Sequence, residues 1–133
     1  MDVNSSVLPR VDSKICLLDD DPSMLKALDR LLGSAGLQAQ LFSEPLGFLS
    51  YVIRNPVPVA VIDIWLSTGI SGLDVQTKLQ GLSPETRVII STADNHDSVR
   101  DAAIKAGAIA YFVKPFDEEA FLATVHQALV HQV

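Results

Sequence analysis

The sequence is short of several things, and each shortage excludes a class of protein. It has one cysteine, Cys16, so no disulfide forms within the chain. Cys16 lies in an apolar run, where a thiol behaves as a small core residue. No apolar stretch approaches the roughly 18 residues of a membrane span. The opening MDVNSSVLPR has no basic start followed by an apolar stretch, which argues against a signal peptide. Together these features point to a reducing cytoplasm. No zinc-spaced Cys/His cluster occurs, and no G-x-x-x-x-G-K-[ST] loop, which argues against a nucleotide hydrolase. No Ser–His or Cys–His nucleophile pair stands out. His96, His126 and His131 fall in or near predicted helices and read as surface side chains. Basic charge is also scarce. The net charge is −6, and an acidic surface repels phosphate backbones, so this segment is a poor direct binder of DNA.

What is present is a chain of 133 residues, 48% hydrophobic and 20% charged, the size and balance of one folded domain. A chain of that length buries roughly two thirds of its unfolded surface. Residues 1–13 are polar and aperiodic, and the expectation is a flexible N-terminal arm, with the folded domain over 14–131.

Beyond residue 13, short apolar runs alternate with amphipathic segments. Ile15 to Leu18 ends at Asp19, Asp20 and Asp21, and Pro22 suits the first turn of a helix. Met24, Leu25, Leu28, Leu31, Leu32 and Ala35 recur at helical spacing, and Gly36 suits the stop. The pattern then predicts a strand over 37–42, a helix over 45–53 and a strand over 58–62 ending at Asp63. A loop over 66–72 leads to a helix over 73–79 and a strand over 87–91. A helix over 95–106, a strand over 109–113 and a last helix capped by Asp117 complete the chain. Asp21 reads as a helix N-cap rather than a metal ligand. Five strand–helix units with apolar strands imply an α/β, doubly wound parallel sheet with right-handed crossovers.

In such sheets ligands bind beyond the carboxyl ends of the strands. The strand ends are all polar: Asp19-Asp20, Asp63, Ser91-Thr92 and Lys114-Pro115. Two carboxylates about 5 Å apart repel by roughly 3 kcal/mol at an effective dielectric of about 20. Partial protonation, solvent, Lys114 or a bound cation must offset that repulsion. A hard divalent ion such as Mg²⁺ fits oxygen ligands of this kind. A carboxylate beside Mg²⁺ and a lysine suits phosphoryl acceptance, because the positive charges let an anionic nucleophile approach an anionic donor. The Thr92 hydroxyl suits an oxygen of the transferred group.

LLDDDPSML, VIDIWL with SGLD downstream, VIISTAD and AGAIAYFVKPF, in this order and spacing, resemble the receiver domains of bacterial response regulators. The resemblance covers about Lys14 to Leu129. It implies a flavodoxin-like (βα)5 fold with strand order 2-1-3-4-5. It implies Asp63 as the phospho-acceptor and Asp20 as direct Mg²⁺ ligand, with Asp19 assisting. The backbone carbonyl of Trp65 completes that metal site. Thr92 and Lys114 would bind the phosphoryl group, and Pro115 follows Lys114 in a bond that the family usually holds cis. Tyr111 would be the switch aromatic, acting with Thr92 on a face formed by the fourth and fifth strands and helices. Trp65, two past the acceptor, occupies a position that influences aspartyl-phosphate hydrolysis in this family. Asp94 occupies the matching position two past Thr92, where it could orient a water or pair with a base.

The implied partners are a sensor histidine kinase or phosphotransfer protein, and a second copy through the helix 4, strand 5 and helix 5 face. DNA would be reached only through an output domain outside this chain. The ending HQALVHQV and the FVKPF segment favour a piece of a longer transcriptional regulator. One departure concerns the loop after Asp63. Position 67 is Ser where many receivers have Pro, and Gly72 comes nine residues after the acceptor rather than eight, so a longer, less rigid loop is expected.

The chain is thus read as a signalling switch rather than a turnover enzyme. The main alternative is a Mg²⁺-dependent phosphatase with an Asp nucleophile after the first strand, although DDDPS departs from the D-x-D-x-T/V of the haloacid-dehalogenase type. A flavin carrier on the same fold is disfavoured, because three acids stand where a phosphate loop is needed.

Overall fold

The computed structural model describes residues 14–67 and 69–130. The expected N-terminal arm, Thr68 in the loop after the acceptor, and His131 lie outside the described residues. The elements alternate throughout: β1 (Lys14–Leu18), α1 (Pro22–Ser34), β2 (Gln38–Phe42), α2 (Pro45–Arg54), β3 (Val59–Ile62), α3 (Gly72–Leu82), β4 (Arg87–Thr92), α4 (Asp97–Lys105), β5 (Ala108–Val113) and α5 (Glu118–Val130). All strand pairs are parallel, in the order β2-β1-β3-β4-β5. This is the doubly wound α/β sheet expected of the flavodoxin-like receiver fold.

The pleat divides the core in two. Ile15 and Leu17, Val59 and Val61, and Ile89 meet Leu25, Leu28 and Leu32 of α1 and Phe121, Val125 and Leu129 of α5. Cys16 and Leu18, Ala60 and Ile62, and Val88 and Ile90 face α2, α3 and α4 on the other side. Burial on both faces is why the three central strands read as unbroken apolar runs. The edge strands β2 and β5 are half-exposed. In β5 an extra residue is accommodated between the Val88–Ala108 and Ile89–Ala110 pairs. That residue, Ile109, is left 41% exposed, and the shift places Tyr111 opposite Ile90.

Helix boundaries follow local chemistry. Asp21 caps α1 by accepting from Ser23 N, with Pro22 behind it, as the sequence predicts. Helix α3 is longer than predicted at both ends. Ser71 and Asp74 form a capping box at its start, and it runs to Leu82. Helix α4 is shorter, starting at Asp97 rather than Asn95, because Asp94 to His96 form a turn that delivers His96 as the cap residue.

Gly72 carries a strict steric requirement. A Cβ there would lie 2.1 Å from the Asp63 carbonyl oxygen and 2.8 Å from the Ile64 Cα. Its N–H donates to the Ile64 carbonyl at 2.6 Å, so the loop after Asp63 closes back onto the acceptor strand.

Candidate functional site

The sheet register sets the site. Each key residue is the first past its strand and extends a ladder by one bond. Asp19 N–H donates to the Phe42 carbonyl (3.1 Å), Asp63 N–H to Leu18 (2.9 Å) and Lys114 N–H to Thr92 (2.8 Å). The parallel register, which pairs Leu18 with Ile62 and Thr92 with Val113, therefore releases the acids and the lysine at one rim. The Lys114–Pro115 peptide bond is cis.

Carboxylate oxygens of Asp19, Asp20 and Asp63 lie within 4.8 Å of one another. Asp19 and Asp63 are buried, and Asp20 is half-buried. Lys114 Nζ donates to Asp19 Oδ2 at 2.7 Å and reaches Asp63 Oδ2 at 3.5 Å, so one cation serves two buried anions. Asp19 Oδ1 accepts from Asp21 N–H (2.9 Å). Burial pushes the Asp19 carboxyl above its usual range. Lys114 and the Asp21 N–H pull it back, and the Asp63 charge raises it further. Asp63 Oδ1 is buried with no hydrogen-bond partner. A buried, unsatisfied carboxylate oxygen beside two further carboxylates is a ligand set for a hard divalent cation. The residues present fit Mg²⁺.

The loop after the acceptor is held at several points. Ser67 N–H donates to Asp20 Oδ2 (2.8 Å), Gly72 closes on Ile64, and the Ser71–Asp74 box fixes its far end. The less rigid loop expected from its length is thus tethered through its described residues. The Ser67 contact carried no sequence signal, because it joins two loops 47 residues apart.

Thr92 is fully buried at the end of β4, beside the acceptor strand. Its hydroxyl accepts from Asp94 N–H at 3.3 Å and makes no hydrogen bond to Asp63. The Tyr111 hydroxyl donates to the Asp94 backbone carbonyl at 2.8 Å, so Asp94 links the two expected switch residues. Burial, then the nearby Asp94 charge, pushes the Tyr111 phenol above its usual range.

Trp65 is 58% exposed, and its indole N–H donates to Asp94 Oδ2 at 2.5 Å. Asp94 Oδ1 accepts from His96 N–H and meets His96 Nδ1, both at 2.9 Å. The sequence marked Trp65 and Asp94 separately and left His96 as a surface side chain. The His96 ring is indeed exposed, yet it belongs to this group.

The chain is similar to known proteins over most of its length. The response regulator receiver domain family matches residues 15–126. The response regulator protein TodT of Pseudomonas putida is 38% identical over 117 residues, covering 88% of this chain and 51% of that protein. The transcriptional regulatory protein KdpE of Mycobacterium tuberculosis is 34% identical over 116 residues, covering 86% of this chain and 50% of that protein. The chain therefore spans about half the length of these curated relatives. Among solved structures, the BeF3-activated DrrB receiver domain superposes with a TM-score of 0.81 at 30% identity, covering 90% of this chain and 98% of that one. Among the described residues no helix is long and apolar enough to cross a membrane. With the strand order, the rim of acids and the matched span all in agreement, the chain belongs to the response regulator receiver domain family.

Proposed function

We propose that this domain is a phosphorylation switch in which Asp63 accepts a phosphoryl group from a histidine kinase or phosphotransfer protein in the cytoplasm. The observation that carries the reading is the state of Asp63. It is a buried carboxylate with one oxygen unpartnered and the other 3.5 Å from a lysine, among acids from a neighbouring strand. In the reaction an Asp63 carboxylate oxygen bonds to phosphorus. The phosphorus–nitrogen bond of the donor breaks, and the imidazole leaves with a proton.

Asp19, Asp20 and Asp63, with the Trp65 backbone carbonyl, would hold Mg²⁺. When bound, the ion offsets the negative charge of phosphoryl oxygens beside these carboxylates. Lys114 sits ready to leave Asp19 for a phosphoryl oxygen. Thr92, released from the Asp94 N–H, would take another. Tyr111 would read that change through Asp94, shifting a two-state equilibrium on the α4–β5–α5 face. Ile104 and Ile109 are exposed on that face, among the charges Asp97, Arg100, Asp101 and Lys105, a composition suited to a second copy or another protein partner. The output, including any contact with DNA, belongs to sequence outside this chain. The switch is not a turnover catalyst. The phosphatase alternative is not favoured, because both oxygens of its nucleophile, Asp19, are engaged by Lys114 and the Asp21 N–H.

The test is incubation with phosphoramidate or acetyl phosphate and Mg²⁺, followed by intact mass. A gain of one phosphoryl group that is absent in Asp63→Asn is expected. No gain in the native protein, or an equal gain in Asp63→Asn, would overturn the reading.

A further inference from the structure

Gln76 lies in the middle of α3, is 2% exposed and takes no part in the site at the strand ends. Its Nε2 donates to the Ala103 carbonyl of α4 at 3.1 Å. Its Oε1 is buried with no hydrogen-bond partner among the described residues. A long polar side chain is seldom fully buried, and an unpartnered amide oxygen costs stability. An apolar residue of the same size would avoid that cost. What the amide supplies instead is a donor to one end of a weakly anchored helix.

Helix α4 has a single buried residue, Ala103, where each of the other helices has at least three. Its nine residues are too few to hold a helix in water without tertiary contacts. Its two ends are held differently. At the start, the cap residue His96 makes no side-chain cap hydrogen bond, and Asp97, Ser98, Arg100 and Asp101 are exposed. This end is tied through the chain to the turn at Asp94, and so to Thr92.

At the other end three contacts converge. Ala103 packs into the core cluster that contains Val75 and Leu79 of α3. Gly107 turns the chain away at φ +106, and its N–H donates to Ile104 rather than to Ala103. The Ala103 carbonyl is one of the last-turn acceptors that a helix cannot serve by itself, and Gln76 serves it from α3. Gln80, one turn further along α3, lies beside the stop: a Cβ at Gly107 would sit 3.5 Å from its Nε2.

We propose that Gln76 is the pivot pin of α4. Its amide fastens the last turn to α3, so the helix swings about that end when the loop after Thr92 draws on its first turn. The pin belongs to the resting fold, whereas the swing rests on Asp63 being the acceptor. With the pin in place, a shift at Thr92 turns α4 as a body. Without it, the last turn frays and the shift is lost in local unfolding. Gln76 touches none of the reacting atoms. It is a positioning residue, and it acts from a helix outside the α4–β5–α5 face.

The experiment follows amide hydrogen exchange by NMR in the native domain and in Gln76→Met, each with and without beryllofluoride and Mg²⁺. Met keeps the bulk and removes both the donor and the unpartnered oxygen. In the resting domain, the amides of Ile104, Lys105 and Ala106 are expected to exchange about fivefold faster in Gln76→Met, the equivalent of one net hydrogen bond. The amides of β1 and β3 should exchange no faster. On loading the native domain, the resonances of Asp97 to Val99 should shift, while protection of the last turn stays within about twofold. In Gln76→Met, loading should lower that protection further. The native protein also carries its own readout. The Gln76 side-chain amide should exchange slowly before and after loading, unlike that of the exposed Gln80. This readout decides the matter if Gln76→Met does not fold.

Equal last-turn exchange in Gln76→Met and the native domain would overturn the pin while leaving Asp63 as acceptor. So would a Gln76 side-chain amide that exchanges like that of Gln80, or one that loses its protection on loading. A native domain that does not respond to beryllofluoride would overturn the acceptor reading and the swing together.

Discussion

Lys114 Nζ lies 2.7 Å from Asp19 Oδ2 and keeps a longer 3.5 Å from Asp63. The lysine at the end of β5 is thus committed first to an acid on β1, two strands beyond its neighbour β4. Its role in the resting protein is to neutralise a cluster that would otherwise repel itself. Removing it leaves buried carboxylates without a cation. Lys114→Ala is expected to destabilise the metal-free domain by about 2–3 kcal/mol, less than a fully buried pair would lose because the lysine is partly exposed. Urea denaturation gives the value. Mg²⁺ should recover part of the loss, and an unchanged midpoint would contradict the charge argument.

Asp19→Asn should act in the opposite direction. Burial raises the Asp19 carboxyl above its ordinary value, so the folded state favours the protonated form. Stability from this group is then highest at low pH and falls as pH rises from the unfolded value of 3.8 through the folded one. An amide has no proton to lose. The metal-free variant should be more stable at neutral pH by on the order of 1 kcal/mol. It should also lose most of the rise in thermal midpoint that Mg²⁺ gives the native protein. Calorimetry with and without Mg²⁺ checks both.

Gly72→Ala tests the approach of the loop to the acceptor. The added carbon meets backbone of Asp63 and Ile64, which has no soft degree of freedom. A loss of about 2–3 kcal/mol is expected, with a slower phosphorylation rate because the acceptor peptide must move. Equal stability and equal rate would mean that the loop closes differently.

Much of this was legible beforehand, for identifiable reasons. Ile15 to Leu18, Val59 to Ile62 and Val88 to Ile90 are covered on both faces, so unbroken apolar runs marked the central strands. The acids follow two of those runs directly and the lysine follows the edge strand β5, so a parallel sheet had to gather them. The ends of α3 and α4 were less legible. They depend on the Ser71–Asp74 box and on the turn at Asp94 to His96, which a helical period does not encode. His96 was missed for the same reason. Its importance comes from pairing with a residue two before it, and from an indole 29 residues before that residue.

Asp94 also makes a pH prediction. Its donors lower its carboxyl pKa, so it contributes stability above the unfolded value of 3.8 that is lost as pH falls through its lower folded value. Carboxyl-resolved NMR should find Asp94 titrating below 3.8 in the native protein, and closer to 3.8 in His96→Ala. A titration above that value in the native protein would contradict the hydrogen bonds described.

The central claim is that one carboxylate, Asp63, takes the phosphoryl group. The most direct measurement is borohydride reduction of the protein after phosphoramidate and Mg²⁺ treatment, followed by peptide mapping. Reduction turns an aspartyl phosphate into homoserine. Homoserine at position 63, dependent on Mg²⁺ and on donor, is the predicted result. Homoserine at 19 or 20 instead, or at no aspartate, would contradict it.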